Sequence, residues 1–397
     1  MLATLPRATP RAARRLTTAH ALRSPLAPSY NHTIRPALAP PYNHPLAHVP
    51  EADRLKAPYA FSMLKEHFSE RTGPTRTEFV AGLLETKEGR EWVQAAWDSA
   101  LKELAEQPAA TEVSFQGLGE YLADPASAKA LQVGGSVVIR DVLRDPVAEA
   151  WASELTETLV SRANSPTYYT SAQIAARADP SVLSATGQTL KAFLPTSTPE
   201  GAFIRIDAAT VAPDQPTWAS KDLWALDESA SPATPVHAHL ALARTDVKVP
   251  TSCAAATYAL LRPFFSPKKS RISFYLPTGY TDESNWVMRA PGAKPDLEAD
   301  LVHVQPTTVS LAPGDVLVTH AGLRLQAADA SGLLLPVHPL PATEGNRAYV
   351  ALQRASFEAG LPPPHIPADG SPIALEDGGN VTMIESWGGR RALGYGF

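Results

Sequence analysis

The stretch Ser310–Gly332, SLAPGDVLVTHAGLRLQAADASG, carries the clearest fold signal in the chain. It contains a Pro-Gly-Asp turn at positions 313–315, which is followed at once by the apolar run Val316–Val318. Gly and Asp favour the backbone conformations of tight turns, and a short apolar run after a turn is typical of a strand. A lone His320 then precedes a loop of small and polar residues. The stretch therefore predicts a turn, a buried strand and a loop within a β-rich domain.

The composition of the whole chain is typical of a globular protein with a sizeable core. Its 397 residues are 44% hydrophobic and 19% charged, and the length allows one large domain with extensions or two domains. A formal net charge of -5 gives no reason to expect nucleic-acid binding, and no apolar run approaches the ~18 residues of a membrane span. Cys253 is the only cysteine, which excludes an intramolecular disulfide and cysteine-cluster metal sites.

Residues 1–50 form a distinct basic segment. They contain no Asp or Glu, several Arg, and abundant Ser, Thr and Ala. Such a composition is typical of a mitochondrial transit peptide, and a disordered basic tail is the alternative. We therefore expect a mitochondrial protein, with the cytoplasm as the other location.

Downstream of this segment, helical patterns give way to strand patterns. Apolar residues recur at helical spacing between Thr75 and Gln107, with a break expected near Gly89. We divide the chain into a helical region at 51–130, a strand-rich domain at 131–370 and a C-terminal tail at 371–397. Because helical patterns come first and strand patterns follow, we predict an α+β fold in which an N-terminal set of helices packs against a jelly roll. The predicted strands are Val133–Arg140, Phe203–Ile206, Tyr258–Leu261, Ile272–Leu276, Val302–Val304, Thr308–Leu311, Val316–Val318 and Ala348–Leu352.

A set of motifs between residues 130 and 367 occurs in the order found in a known family. The motifs are Gly134–Arg140 (GGSVVIR), Tyr168–Gln173 (YYTSAQ) with Arg177, Ala259–Phe265 (ALLRPFF), the 313–315 turn with His320, and Asn346–Tyr349 (NRAY) with Gln353 and Arg354. Together they resemble the domain-of-unknown-function 1479 (DUF1479) family, whose fungal and bacterial members are similar to phytanoyl-CoA-hydroxylase-type dioxygenases. The resemblance implies a double-stranded β-helix core with an N-terminal helical brace. It also implies Fe(II) held by two His and a carboxylate, 2-oxoglutarate as cofactor, and a small molecule that is hydroxylated or oxidised.

The metal ligands that the resemblance implies are missing from their usual positions. None of the 11 histidines is followed two residues later by Asp or Glu, and Leu325 stands where the distal His is implied. His237 and His239 would share one face of a strand, so they are candidate substitutes, with Asp246 downstream and His320 as a third ligand. The alternative is that the first two lie on a polar, Pro-flanked loop and bind nothing, while His320 is structural.

An Arg side chain is the natural partner for the carboxylate of 2-oxoglutarate, because its planar fork offers two parallel charge-assisted bonds. The candidates on or beside predicted strands are Arg205, Arg262, Arg347 and Arg354. We rank Arg262 first because it lies in the Ala259–Phe265 motif, together with Arg347 because it follows the last predicted strand pair. A structural ion pair is the alternative for each of them.

Two functional hypotheses follow, and a third possibility concerns the gene. The first is an Fe(II)/2-oxoglutarate-dependent oxidoreductase with a displaced metal site, acting on a small molecule and not on nucleic acid or a membrane. The second is a catalytically inactive descendant that binds a ligand or serves as a scaffold. The third is that a ligand-bearing segment between Asp207 and Tyr258 has been lost from the gene as given.

Overall fold

The computed structural model describes residues 76–106, 110–161, 166–193, 202–211, 236–268, 279–294, 307–321, 323, 325–327, 332–366 and 378–396. All of them belong to one unit, Pro50–Phe397. The basic segment 1–50 and the predicted strands Ile272–Leu276 and Val302–Val304 lie outside the described residues.

Helices and strands are mixed along the described chain. The α-helices are α1 Arg76–Leu83, α2 Lys87–Glu106, α3 Leu118–Ala123, α4 Pro125–Gly134, α5 Asp145–Ser161, α6 Ser171–Ala178, α7 Pro180–Phe193, α8 Ala254–Leu261, α9 Glu344–Glu358 and α10 Trp387–Ala392. The strands are β1 Thr111–Ser114, β2 Ser136–Arg140, β3 Phe203–Arg205, β4 Thr210–Val211, β5 Val236–Ala241, β6 Thr245–Val249, β7 Phe265–Pro267, β8 Trp286–Met288, β9 Thr307–Leu311, β10 Val316–His320, β11 Gln326–Ala327, β12 Leu333–Pro336 and β13 His338–Leu340. None of the helices that the structure describes has both the length and the apolar character needed to cross a bilayer.

A six-stranded sheet with the order β1-β2-β10-β5-β12-β4 forms the centre of the molecule. Only its β1–β2 pair is parallel, and the other pairs are antiparallel. A three-stranded sheet, β11-β6-β9, and two strand pairs, β13-β3 and β7-β8, complete the set. The α+β class is thus confirmed. No pairing among the described strands closes a sheet on itself, and the double-stranded β-helix stays a prediction.

Both faces of the six-stranded sheet are buried. Ala238 and Leu240 of β5 belong to a core shared with α5 and α7, whereas Ala241 belongs to a core shared with β6 and β9. Because side chains alternate along a strand, one face of the sheet meets the helices and the other meets the three-stranded sheet. This three-layer arrangement explains why β10 begins with the unbroken apolar run Val316–Val318, since a strand buried on both faces needs apolar side chains on both.

The 313–315 turn is anchored from two sides. Gly314 has φ +86°, and a Cβ at this position would lie 2.3 Å from the carbonyl oxygen of Leu143, so only glycine fits. The buried carboxylate of Asp315 accepts bonds from Arg140 Nη1 at 2.5 Å and from the Asp141 backbone N–H at 3.1 Å. The turn and strand that the sequence predicts here are confirmed, as is the strand Thr308–Leu311, which matches β9.

Several predicted boundaries are wrong. Tyr258–Leu261 and Ala348–Leu352 are helical, lying in α8 and α9. Alanine-rich sequence around the first run favours a helix, and the second run follows Thr343, whose side chain caps α9 by accepting from the Asn346 N–H. The strand predicted at Val133–Arg140 begins only at position 136, because α4 continues to position 134. The break expected near Gly89 lies slightly earlier, between α1 and α2 at 84–86.

Candidate functional site

The face of the six-stranded sheet that meets the three-stranded sheet becomes polar at one end. Ser136, Thr319 and His237 lie opposite one another on β2, β10 and β5. His239 follows two residues further along β5, opposite Leu317 of β10. Leu317 packs in the core between the two sheets. Thr319 is two residues further along the same strand, so its side chain and those opposite it point into the same interior. We call Ser136, Thr319, His237 and His239 the polar patch.

A third histidine, which the sequence did not single out, lies against the patch. The ring of His338 on β13 is centred 4.8 Å from that of His237 and 4.9 Å from that of His239. Its Nδ1 accepts a bond of 3.0 Å from the Ala238 backbone N–H. A neutral imidazole has one donor and one acceptor nitrogen, so Nε2 carries the proton. That nitrogen lies 3.7 Å from Asp207 Oδ2.

Asp207 joins the patch to the C-terminal part of the chain. Its Oδ2 accepts from Arg205 Nε at 2.8 Å, and its Oδ1 is 2.6 Å from His365 Nε2. The hydroxyl of Tyr349 is 2.5 Å from His365 Nδ1. A carboxylate only accepts, so Nε2 of His365 donates to it. Tyr349, His365 and Asp207 are therefore joined in one hydrogen-bonded chain.

The buried Arg177 fixes the backbone at this place. Its Nη2 donates to the Asp207 carbonyl at 2.5 Å, its Nη1 to the Tyr168 carbonyl at 2.7 Å, and its Nε to the Pro336 carbonyl at 3.2 Å. These contacts join α6 to the segment after β3 and to the end of β12. Arg177, together with the Tyr168–Gln173 motif, thus holds the backbone on which Asp207 lies.

Burial decides the charge state of the patch. It lowers the pKa of His239 to about 3, helped by repulsion from His237, and it lowers the pKa of His338 well below the ordinary value. Burial opposes ionisation of Asp207, but Arg205 and His365 outweigh it and hold the pKa of that carboxyl well below its usual range. Near neutral pH both imidazoles are uncharged, and the one carboxylate is balanced by the guanidinium.

The three proposed metal ligands do not share one face of the sheet. His237 and His239 lie together in the polar patch. His320 is two residues after Val318, which packs against the helices, so His320 lies on that same face of the sheet. Its ring is centred 6.0 Å from that of Phe193 on α7. Burial, with a contribution from His237, lowers the pKa of His320 to about 4. The structure therefore brings two of the three together.

The arginines ranked for 2-oxoglutarate lie away from the patch. Arg262 is buried in a separate core, where its Nη1 donates to the Phe265 carbonyl at 2.9 Å and its guanidinium lies 4.9 Å from the centre of the Trp286 ring. Arg347 is exposed on α9. The lower-ranked Arg205 is the one beside the histidines.

As placed, His338 does not fit as a ligand of the Fe(II) ion that the resemblance implies. His338 uses one ring nitrogen as an acceptor and keeps a proton on the other, so neither offers a lone pair to a metal. Both oxygens of Asp207 already accept bonds, and Leu325 packs between the two sheets. Within the ranges that the structure describes, no group of three or more His, Cys, Asp or Glu side chains is arranged to hold a metal ion.

No protein-family model matches the sequence, and no curated protein matches it. Solved structures do match the fold. GlcNAc Inducible Gene 2 protein of Candida albicans, a DUF1479 protein, has a TM-score of 0.59 at 14% identity over 82% of this chain and 90% of its own. A hypothetical protein of Escherichia coli has a TM-score of 0.58 at 16% identity, over 84% of this chain and 100% of its own.

A protein of Salmonella typhimurium LT2, provisionally described as an oxidoreductase, has a TM-score of 0.56 at 17% identity, over 83% of this chain and 100% of its own. These likenesses cover most of the described chain, and they include a member of the family that the sequence motifs resemble. The chain therefore has the fold of the DUF1479 proteins, at a sequence identity of 14% to the member from Candida albicans.

Proposed function

We propose that this protein, of an oxidoreductase-like fold, binds a small molecule at the polar patch and does so without the Fe(II) and 2-oxoglutarate pair. The observation that carries the proposal is the bond from the Ala238 N–H to His338 Nδ1. That bond fixes the proton on Nε2 and turns the third imidazole of the cluster from a metal ligand into a hydrogen-bond donor.

The surroundings of the patch support a binding role. Small-molecule sites are typically apolar spaces with a few converging polar groups. Here apolar side chains such as Leu317 and Leu334 pack between the two sheets, and the polar groups lie at one end of this interior. Arg177 and the Asp207 network hold the neighbouring backbone, so the polar groups are preorganised.

The iron-dependent dioxygenase is the second candidate. One observation favours it, namely that His237, His239 and Asp207 supply the same side-chain types as a two-histidine, one-carboxylate site, gathered around His338. Recruiting His338 as a further ligand would require it to give up the bond that its Nδ1 accepts from the Ala238 N–H. Loaded with iron, such a site would use dioxygen to oxidise a small molecule while 2-oxoglutarate is decarboxylated to succinate and carbon dioxide.

Measurement of iron binding and turnover separates the two candidates. The purified full chain would be reconstituted with Fe(II) without oxygen, its iron content measured, and succinate formation from 2-oxoglutarate followed after oxygen is admitted. We expect iron well below one per chain and no succinate above background. The His239→Ala variant is matched with His320→Ala, which removes a histidine from the opposite face. Stoichiometric iron, with succinate formation lost in the first variant and kept in the second, would establish the dioxygenase.

A further inference from the structure

Buried hydrogen-bonding atoms of the polar patch lack a partner within the protein. Thr319 is 0% exposed and Ser136 is 2% exposed, yet neither hydroxyl makes a hydrogen bond. The Nδ1 atom of His239 is likewise buried without a bond. Proteins satisfy the large majority of their buried polar groups, because an unsatisfied one loses its bonds to water and gains nothing in return. These three atoms therefore indicate a partner from outside the chain.

The three atoms are close enough for one small molecule to meet them all. Ser136 and Thr319 are directly opposite each other on adjacent antiparallel strands, which places their Cβ atoms about 5 Å apart. His239 is the diagonal neighbour of Thr319 on the next strand, at about 7–8 Å. All three point from the same face of the sheet. A molecule of sugar or polyol size spans these distances.

The charges around the patch select against an ionised ligand. His338 accepts the Ala238 N–H at Nδ1 as a neutral imidazole does, and Asp207 is already balanced by Arg205 at 2.8 Å. An anion or a cation would be taken out of water without a new opposite charge, which costs far more than burying a hydroxyl that finds partners. A hydroxyl also matches the chemistry of the patch, because it can donate to an imidazole nitrogen and both donate to and accept from a Ser or Thr hydroxyl.

We infer that the polar patch binds an uncharged, polyhydroxylated small molecule, with Ser136, Thr319 and His239 as its hydrogen-bonding partners. This inference rests on the proposed function and names the ligand class for the same site. The hydroxyl groups of the ligand replace the water that the three atoms lose on folding.

Binding of defined probes tests the inference. Glycerol, D-glucitol and myo-inositol serve as uncharged probes, and 2-oxoglutarate and 1,4-diaminobutane as charged ones, with affinities measured by calorimetry and ligand-observed NMR on the full chain. We expect at least one polyol to bind, and Thr319→Val to weaken it at least tenfold. Thr189→Val is the matched control, because Thr189 is equally buried but donates to the Ala185 carbonyl on α7. It should change the affinity less than twofold.

A second measurement needs no ligand. Replacing the unsatisfied hydroxyl in Thr319→Val should raise the thermal unfolding midpoint of the free protein by about 2 °C, whereas Thr189→Val should lower it, since that hydroxyl is bonded. A fall in both variants would show that the Thr319 hydroxyl is already satisfied, and this would overturn the inference.

The inference is also overturned if no polyol binds, or if either charged probe binds more tightly than every polyol. Those results leave the iron measurements untouched. Iron-dependent succinate formation, in contrast, would remove the proposed function while leaving the polyol affinities as measured, so the two failures are distinguishable.

Discussion

Replacing Asp207 with Asn tests the network that holds the candidate site. The carboxylate accepts two charge-assisted bonds, one from Arg205 Nε at 2.8 Å and one from His365 Nε2 at 2.6 Å. An amide has one accepting oxygen and one donating nitrogen, so Asp207→Asn can keep only one of these bonds unchanged. If the amide nitrogen faces His365, the Nε2 atom of that ring must accept where it now donates.

The size of the effect follows from these bonds. A hydrogen bond to a charged group contributes about 1.5–3 kcal/mol, and a neutral one about 1 kcal/mol. Asp207→Asn loses one charged bond and converts the other to a neutral acceptor, so we expect the free energy of unfolding to fall by about 2–5 kcal/mol. Screening by solvent reduces this little, because the Asp207 side chain is only 18% exposed.

Denaturant unfolding at pH 7 measures the change. Glu112→Gln is the control, because Glu112 pairs with Arg140 at 2.8 Å but is 54% exposed, and an exposed pair contributes less than about 1 kcal/mol. Tyr349→Phe, alone and combined with Asp207→Asn, completes a double-mutant cycle across His365. We expect a coupling of about 1 kcal/mol between the two positions. A loss below about 0.5 kcal/mol in Asp207→Asn would refute the reasoning, since the network would then contribute nothing beyond an ordinary surface pair.

Three further predictions concern the histidines, the turn and the position of the missing ligand. The folded pKa of His239, about 3, lies below the unfolded value near 6.5, so stability is full above pH 6.5 and falls with acidification, by about 2 kcal/mol from this residue at pH 5. Unfolding midpoints that stay flat between pH 7 and 5 would contradict this. Gly314→Ala should lower the free energy of unfolding by about 3 kcal/mol, because of the positive φ and the contact with Leu143, and more than Gly292→Ala, where φ is +74° but no atom lies within 4 Å. Leu325→His should destabilise the protein by about 2–4 kcal/mol in denaturant unfolding without raising its iron content, because it buries an unsatisfied ring between two sheets.

Turns, strands and helices that depend on residues close together in the sequence could be predicted from it. The Pro-Gly-Asp turn and the strand after it follow from turn chemistry and a short apolar run, and both are present. The helical spacing after Thr75 likewise appears as α1 and α2. Short apolar runs are ambiguous, because the four or five residues at Tyr258–Leu261 and Ala348–Leu352 fit both the helix period and the strand period. The alanine content around the first run and the cap before the second favour a helix, and both are helical.

The candidate site depends on strand register and was only half predictable. His237 and His239 could be paired by their spacing along one strand. The side of the sheet on which His320 lies depends on its alternation with Val318, and the approach of His338 depends on a bond to Ala238, 100 residues away in the chain. No spacing rule relates such distant residues, so the sequence alone does not place His338 at the site. Arg347 follows the last predicted strand pair in the sequence, but it lies on α9 and its side chain is exposed.

The C-terminal part of the chain has a consequence for how this protein is made. Ser386 Oγ donates to the Ala178 carbonyl, 208 residues earlier, and Tyr169 donates to the Leu361 carbonyl, 192 residues later. At a synthesis rate of about 5–20 residues per second, α6 would wait about 10–40 s for these partners to leave the ribosome. The apolar side chains of Tyr168, just before α6, and of Ile174, within it, cannot be covered by Ile384 until then. The nascent chain therefore has to remain unaggregated for tens of seconds with this surface uncovered, so the yield of folded protein should depend on chaperones and on translation speed more than its final stability suggests.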